Sequence, residues 1–196
     1  MGRGSRKQRE PDWSRLYEMV EEQAGYFTSA QALERGFTKP LISYHSGTGT
    51  FRRVGHGLYR FVRFPRTESE ELVILWLWSK RQGVFSHETA LHLHQISDVL
   101  PAHMHMTLPV AWSRRRIKVP PVLRLHFADV PESDRAWSGP VPLTAPARTI
   151  ADCIEAHVSP DLVEQAIAQA RSRGLLLRDE LRRLERLTGV KQDAPG

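Results

Sequence analysis

Residues 25–60 have the sequence GYFTSAQALERGFTKPLISYHSGTGTFRRVGHGLYR, and this stretch decides the fold of the N-terminal part of the chain. A threonine and a serine at 28–29 can cap a short helix that Gly36 ends, and Thr38 can cap the helix after it. Two β-rich runs then flank Gly55-His56-Gly57, a pattern typical of a hairpin. Helix, tight turn, helix and hairpin in this order predict a winged helix-turn-helix.

The segments on either side of this stretch predict the domain organisation. Residues 1–11 are basic, contain no apolar residue except Met1, and are expected to form a flexible arm. Asp12 then precedes apolar residues at helical spacing, which predicts the first helix of a DNA-binding domain over 12–66. A linker near residue 66 separates it from a mixed α/β domain over 67–190.

The net charge of +6 is concentrated in the first third of the chain. Residues 1–66 contain 12 Lys/Arg and 6 Asp/Glu, which is +6, whereas the other 130 residues contain 16 of each and cancel. A polyanion such as DNA is the natural partner of this third. The alternative is that the charge only keeps a short tail soluble.

A winged helix-turn-helix places one helix in the major groove and lays its hairpin along the neighbouring backbone or minor groove. We therefore expect DNA contacts from the polar side of the third helix and from the hairpin, with two glycines letting the backbone approach DNA closely. Docking of a protein without DNA stays open, since winged helices also do that. The candidate DNA-binding residues are Lys39, Ser43, Tyr44, His45, Arg52, Arg53, His56 and Arg60.

The second domain combines helices and strands, so the expected fold class of the whole chain is α+β. Helices are predicted over 68–81, 87–95, 146–157, 161–173 and 178–187, and strands over 103–109 and 122–127. A basic turn, Arg114-Arg115-Arg116, lies between the strands and is a second candidate phosphate contact. No secretory signal is visible and the longest apolar run, 72–78, is too short to span a bilayer, so a cytoplasmic protein is expected.

Nine histidines raise the question of a metal site in the second domain. His92 and His94 are two residues apart on a helix and point in different directions, and no carboxylate or cysteine spacing fits a zinc pattern. We therefore expect no metal site, no cofactor and no catalysis, although a hydrolase built on the histidines is the enzyme alternative that a metal assay would test. The other histidines considered are His87, His103, His105 and His126.

Two further residues have structural interpretations. Arg148 lies four residues before Asp152, which predicts an ion pair on one helix face, although Arg148 could instead contact a partner. Cys153, the single cysteine, lies on an apolar helix face and is expected in the core.

Three motifs resemble the AbiEi antitoxin family. The segments 25–36 and 51–60 resemble its N-terminal winged helix, in which a glycine precedes F-T-x-x-x-A and the wing has the form R-R-V-x-x-G-V-Y-R. In the second domain, Ser86-His-Glu-Thr-Ala-Leu-His-Leu-His94 resembles S-H-x-x-A-L-x-x-H, and Leu143-Thr-Ala-Pro-Ala-Arg-Thr-Ile-Ala-Asp152 resembles T-x-P-x-R-T-x-x-D. The likeness covers about residues 13–175.

This resemblance implies an antitoxin of a type IV toxin–antitoxin system that represses its own operon by binding inverted repeats. Its functional partner would be a nucleotidyltransferase-like toxin. A regulator without a toxin, or a protein-interaction module, is the alternative.

Overall fold

The structure, a computed structural model, describes residues 10–189. The predicted basic arm therefore lies almost entirely outside the described residues. The chain divides into two compact units, one ending at Arg81 and the other beginning at Gln82. Both units contain helices and strands, which confirms the predicted α+β class.

The first unit is a winged helix-turn-helix followed by one more helix. Its antiparallel sheet has the strand order β1-β3-β2, in which β2 and β3 form the hairpin, or wing. The short strand β1 is missing from the sequence-based prediction, because three residues carry no readable alternation. The elements are α1 (Trp13–Glu21), β1 (Tyr26–Thr28), α2 (Ser29–Glu34), α3 (Lys39–Gly47), β2 (Phe51–Gly55), β3 (Leu58–Phe61) and α4 (Glu70–Trp78).

The first three helices begin where capping side chains satisfy otherwise unpaired amides. Asp12 accepts a hydrogen bond from the Arg15 amide, and Thr38 accepts one from the Leu41 amide. Thr28 forms a capping box with Gln31, in which each side chain bonds the other residue's backbone. These caps fix the entry points of α1, α2 and α3 and confirm the predicted starts.

Aromatic rings form much of the core of the first unit. Phe27, Phe37 and Phe51 are almost completely buried, and Phe51 packs edge-on against Phe27 at 4.9 Å between ring centroids. Leu16 and Ile42 bring α1 and α3 onto the same cluster. Burying such rings contributes a large share of the stability of a small domain.

Helix α4 packs against the sheet of the first unit, although the sequence predicts a linker near residue 66. Glu70 of α4 accepts hydrogen bonds from the Tyr26 hydroxyl at 3.1 Å and from Arg60 at 3.1 Å. The contacts of the first unit therefore continue to Arg81, where Lys80 and Arg81 have left-handed backbones with φ of 57° and 63°. The functional boundary at residue 66 stays a prediction.

The second unit is a five-stranded sheet with four helices. Its strand order is β6-β5-β4-β8-β7, with β4–β8 and β5–β6 parallel and β4–β5 and β7–β8 antiparallel. The elements are β4 (Val84–Phe85), α5 (His87–His94), β5 (Met104–Leu108), β6 (Leu123–Phe127), β7 (Arg135–Ser138), β8 (Val141–Thr144), α6 (Pro146–Glu155), α7 (Pro160–Ser172) and α8 (Arg178–Thr188).

Two helices of this unit begin without a side-chain cap. Ser86 stands at the N-cap of α5 but makes no capping bond, because its hydroxyl bonds the His87 ring instead. Thr144 precedes the N-cap of α6, and its hydroxyl bonds the Thr149 hydroxyl at 2.7 Å. Cys153 is fully buried in a cluster of α5, α6, α7 and α8 residues, which confirms its place in the core.

Candidate DNA-binding surface

Helix α3 exposes one polar face. Lys39, Ser43 and Tyr44 are all exposed, and Tyr44 keeps 64% of its surface accessible. Lys39 and Ser43 are four residues apart, so they lie on the same side of the helix, while Ile42 is buried in the core. This face offers one cation and two hydroxyl groups, which can bond phosphates or base edges.

His45 lies at the border of this face rather than within it. Its ring packs edge-on against Trp13 at 4.8 Å and lies 5.4 Å from the ring of Phe51. These contacts hold α3 against α1 and β2. The predicted DNA contact from His45 therefore has a competing role in packing.

The wing directs its two adjacent arginines to opposite faces. Arg52 pairs across the strands with Arg60, whereas Arg53 pairs with Tyr59 and so lies on the face that also holds the buried Phe51. Both side chains are exposed, and the Arg53 side chain donates to the Gly55 carbonyl at 3.2 Å. Since α3 packs on the Phe51 face, Arg53 is the wing arginine on the same side of the sheet as α3.

The wing tip is a tight turn that requires glycine. His56 is exposed between Gly55 and Gly57, and Gly57 has φ of 65°, a conformation that favours glycine. An added Cβ at Gly57 would lie 3.1 Å from the Ser29 hydroxyl, so glycine also satisfies the tight packing against α2.

Arg60 points inward, so we remove it from the candidate surface. Its side chain is only 10% exposed and its guanidinium donates to the Phe64 carbonyl at 2.7 Å and to the Glu70 carboxylate at 3.1 Å. Further bonds reach the carbonyls of Phe61 and Val62. The charge of Arg60 is thus neutralised within the unit, which the sequence pattern of the wing did not indicate.

The remaining charges of this surface have one sign. Apart from the inward-facing Arg60, the chain between Glu34 and Glu68 contains six Lys/Arg and no Asp or Glu. The acids of the unit lie in or beside α1, at the end of α2, and in or beside α4. A cationic face without acids attracts a polyanion over the distance of the Debye length, about 8 Å in physiological salt.

The second unit brings together three of the histidines. One ring nitrogen of each of His87, His105 and His126 lies within 4.8 Å of the others, whereas His92 bonds the Val99 carbonyl and His94 the Thr144 carbonyl. The prediction that His92 and His94 do not converge is confirmed by these separate partners. The three-histidine cluster was missed because it depends on the parallel pairing of β5 with β6, which short strands do not reveal.

The predicted ion pair between Arg148 and Asp152 is confirmed, with a nitrogen–oxygen distance of 2.7 Å. Arg148 also donates to Asp134 at 3.1 Å, so its charge is doubly compensated. Burial raises the pKa of Asp152 even though Arg148 opposes that shift.

The basic turn of the second unit is exposed at Arg114, Arg115 and Arg116. The Arg115 guanidinium lies 4.5 Å from the centre of the Trp112 ring.

Residues 14–62 match the model of a family described as "Transcriptional regulator, AbiEi antitoxin". The predicted resemblance to the AbiEi family is confirmed over these residues, whereas the resemblance of the two motifs in the second domain stays a prediction. The matched segment runs from α1 to β3 and includes the whole α3 face and wing. Within residues 10–189, no helix is both long and apolar enough to cross a membrane.

One solved structure supports the fold over most of the chain. It is the crystal structure of the RV2827C protein from Mycobacterium tuberculosis, which is similar with a TM-score of 0.54 and 15% sequence identity. The similarity covers 88% of this chain and 70% of that one, and at this identity it concerns the fold. Among curated proteins, none matches the chain significantly.

Proposed function

We propose that this protein binds duplex DNA in a sequence-specific manner and represses its own operon as the antitoxin of a type IV toxin–antitoxin system. The observation that carries the proposal is the match of residues 14–62 to a family of antitoxin regulators, since that segment contains the exposed cationic face. In this proposal α3 enters the major groove and the wing follows the backbone.

The two parts of the surface have different tasks. Arg52 and Arg53 of the wing carry exposed guanidinium groups, which suit phosphates and add affinity without sequence preference. Ser43 and Tyr44 of α3 carry hydroxyl groups, which can read base edges in the major groove. Lys39 stands in the first turn of α3, where it can reach a phosphate or a guanine. His56 at the wing tip completes the proposed surface.

The test measures binding of the full chain to the DNA upstream of its own gene and to unrelated DNA over a range of salt concentrations. The logarithm of affinity should fall with the logarithm of salt with a slope of about −0.9 for each phosphate contacted. Arg53→Ala should weaken binding to both DNAs and make the slope against salt less steep by about one. Arg182→Ala, which removes a side chain 72% exposed on α8, is the matched control and should leave both unchanged.

Sequence reading by α3 is tested separately. Tyr44→Ala should weaken binding to the operator by about 1–3 kcal/mol and should change binding to random DNA little. Tyr17→Ala is the matched control, because that tyrosine is 52% exposed on α1. Equal losses on operator and random DNA would show that Tyr44 does not read sequence, and a flat salt dependence would contradict DNA binding itself.

The antitoxin part of the proposal is tested in cells. A nucleotidyltransferase-like protein encoded beside this chain should stop growth when expressed alone, and co-expression of the full chain should restore growth. If repression of the operon is observed without any rescue, the chain is a regulator without a toxin, and the antitoxin assignment fails while DNA binding stands.

A further inference from the structure

Three histidines from different elements of the second unit meet at one point. His87 is the first residue of α5, His105 lies in β5, and His126 lies in the neighbouring parallel strand β6. One nitrogen from each ring lies within 4.8 Å of the other two. The three side chains are buried or half-buried, so they are not a solvated surface patch.

We propose that His87, His105 and His126 form a binding site for a divalent metal ion of the zinc class. This site is independent of the proposed DNA-binding surface, which lies in the first unit. Three imidazole nitrogens are a common protein donor set for such ions, with a fourth position left to water or an exchangeable ligand.

The spacing of two of the rings already approaches that of ligands on one ion. The distance between Nδ1 of His105 and Nε2 of His126 is 3.0 Å. Two nitrogens on one tetrahedral zinc ion, each about 2.0–2.1 Å from the metal, are separated by about 3.3 Å. An ion can therefore take the place of the proton between these two nitrogens, which then resides on Nδ1 of His126, with only a small separation of the rings.

Neighbouring polar groups select the ring nitrogens that would bind. The Glu88 carboxylate lies 3.2 Å from Nε2 of His105 and accepts a hydrogen bond from it, so Nδ1 of the neutral ring carries the electron pair that faces His126. On His87, Nδ1 bonds the Ser86 hydroxyl at 2.9 Å, and Thr107 donates to the same hydroxyl at 2.8 Å. Carboxylate and hydroxyl partners of this kind orient metal-binding histidines in general.

The protonation state of the cluster favours ligation. Burial lowers the pKa of His105 and of His126, and burial together with the neighbouring histidines lowers the pKa of His87 to about 3. Neutral imidazoles are the form that binds metals.

His87 is the residue that must move. Its ring is stacked on that of His126 with 3.5 Å between centroids and 16° between planes, and nitrogens of parallel stacked rings cannot both point at one ion. Binding therefore requires a rotation of the His87 side chain that directs one of its ring nitrogens toward the other two. The His87 backbone has φ of 53°, a strained conformation for a residue with a side chain, of the kind that persists at functional sites.

The experiment titrates the untagged, chelator-treated full chain with Zn²⁺ and with Co²⁺. The expected result is one ion per chain, with a visible Co²⁺ spectrum typical of four-coordinate geometry. In a histidine-ring NMR spectrum, the signals of His87, His105 and His126 should shift with Zn²⁺, while those of His92 and His157 should not. This measurement needs no variant, so it decides the proposal even if substitutions impair folding.

Variants provide the second readout. His105→Gln and His126→Gln should each weaken Zn²⁺ binding at least tenfold, and Glu88→Gln should weaken it by about 10–100-fold through loss of orientation. His92→Gln is the matched control on α5, because that histidine is exposed and outside the cluster. The proposal would be overturned if the full chain did not bind Zn²⁺, or if His92→Gln weakened Zn²⁺ binding as much as His105→Gln and His126→Gln do.

Discussion

Replacing Arg60 by alanine should lower the free energy of unfolding of the first unit without changing the salt dependence of DNA binding. The Arg60 side chain is 10% exposed and its partner Glu70 is 20% exposed. Removing the guanidinium leaves the carboxylate and the Phe64 carbonyl without their closest donor. Breaking a buried pair in this way costs about 3–5 kcal/mol, and the partial exposure of Glu70 favours the lower end, about 3 kcal/mol.

The matched control is Arg52→Ala, because Arg52 is the cross-strand neighbour of Arg60 on the same face but is exposed. Its loss should change stability by less than about 0.5 kcal/mol. Stability of the first unit can be measured within the full chain from amide hydrogen exchange of Phe27 and Tyr59, which pair across β1 and β3. Salt-dependent DNA affinity is measured on the same two proteins.

The reasoning predicts opposite outcomes for the two arginines. Arg60→Ala should accelerate exchange and keep the salt slope, whereas Arg52→Ala should keep the exchange rates and make the slope less steep. If the Arg60→Ala protein keeps normal amide exchange but its DNA affinity loses as much salt dependence as that of Arg53→Ala, then Arg60 contacts DNA. Our removal of Arg60 from the candidate surface would then be wrong.

Three other predictions concern stability and reactivity. Gly25→Ala should destabilise the first unit by about 2 kcal/mol, because φ at this position is 89° and an added Cβ would lie 2.8 Å from Phe64. An unchanged midpoint of urea unfolding would refute this prediction. Burial lowers the pKa of His94, so below about pH 6.5 the unfolded chain binds a proton there that the folded chain does not. The free energy of unfolding should therefore decrease as the pH is lowered, by about 1.4 kcal/mol per pH unit, until the pKa of the folded state is reached. His94→Gln should remove this part of the acid sensitivity, and equal pH profiles would contradict it. Burial raises the pKa of Cys153, so iodoacetamide should alkylate it only after unfolding, and rapid reaction of the native protein would argue against this burial.

Local signals in the sequence predicted much of the fold. The capping residues Asp12, Thr28 and Thr38 each satisfy an orphan amide within one turn, so neighbouring residues are enough to identify the starts of these helices. The hairpin around His56 is likewise encoded by its two glycines. Strands as short as β1 and β4 were missed because two or three residues carry no readable alternation, and their partners are distant in sequence.

The functional groups were harder to place, since a side chain's role depends on contacts across the fold. Arg60 and Arg52 look alike in the wing sequence, and only the pairing with Glu70, ten residues on, separates them. The same limit applies to His105 and His126, which come together through a parallel strand pair. Periodicity on one element identifies a face, but it does not show which other element will meet that face.

The bond between Arg60 and Glu70 also determines where the N-terminal part of the chain could be exchanged by recombination. A crossover after Arg66 would separate the wing from the helix that neutralises its buried arginine, and the hybrid would inherit an uncompensated cation. A crossover after Arg81 would transfer both partners together. Under the proposed DNA-binding function, new operator specificities would therefore be grafted onto the second unit, by evolution or by design, at the turn formed by Lys80 and Arg81.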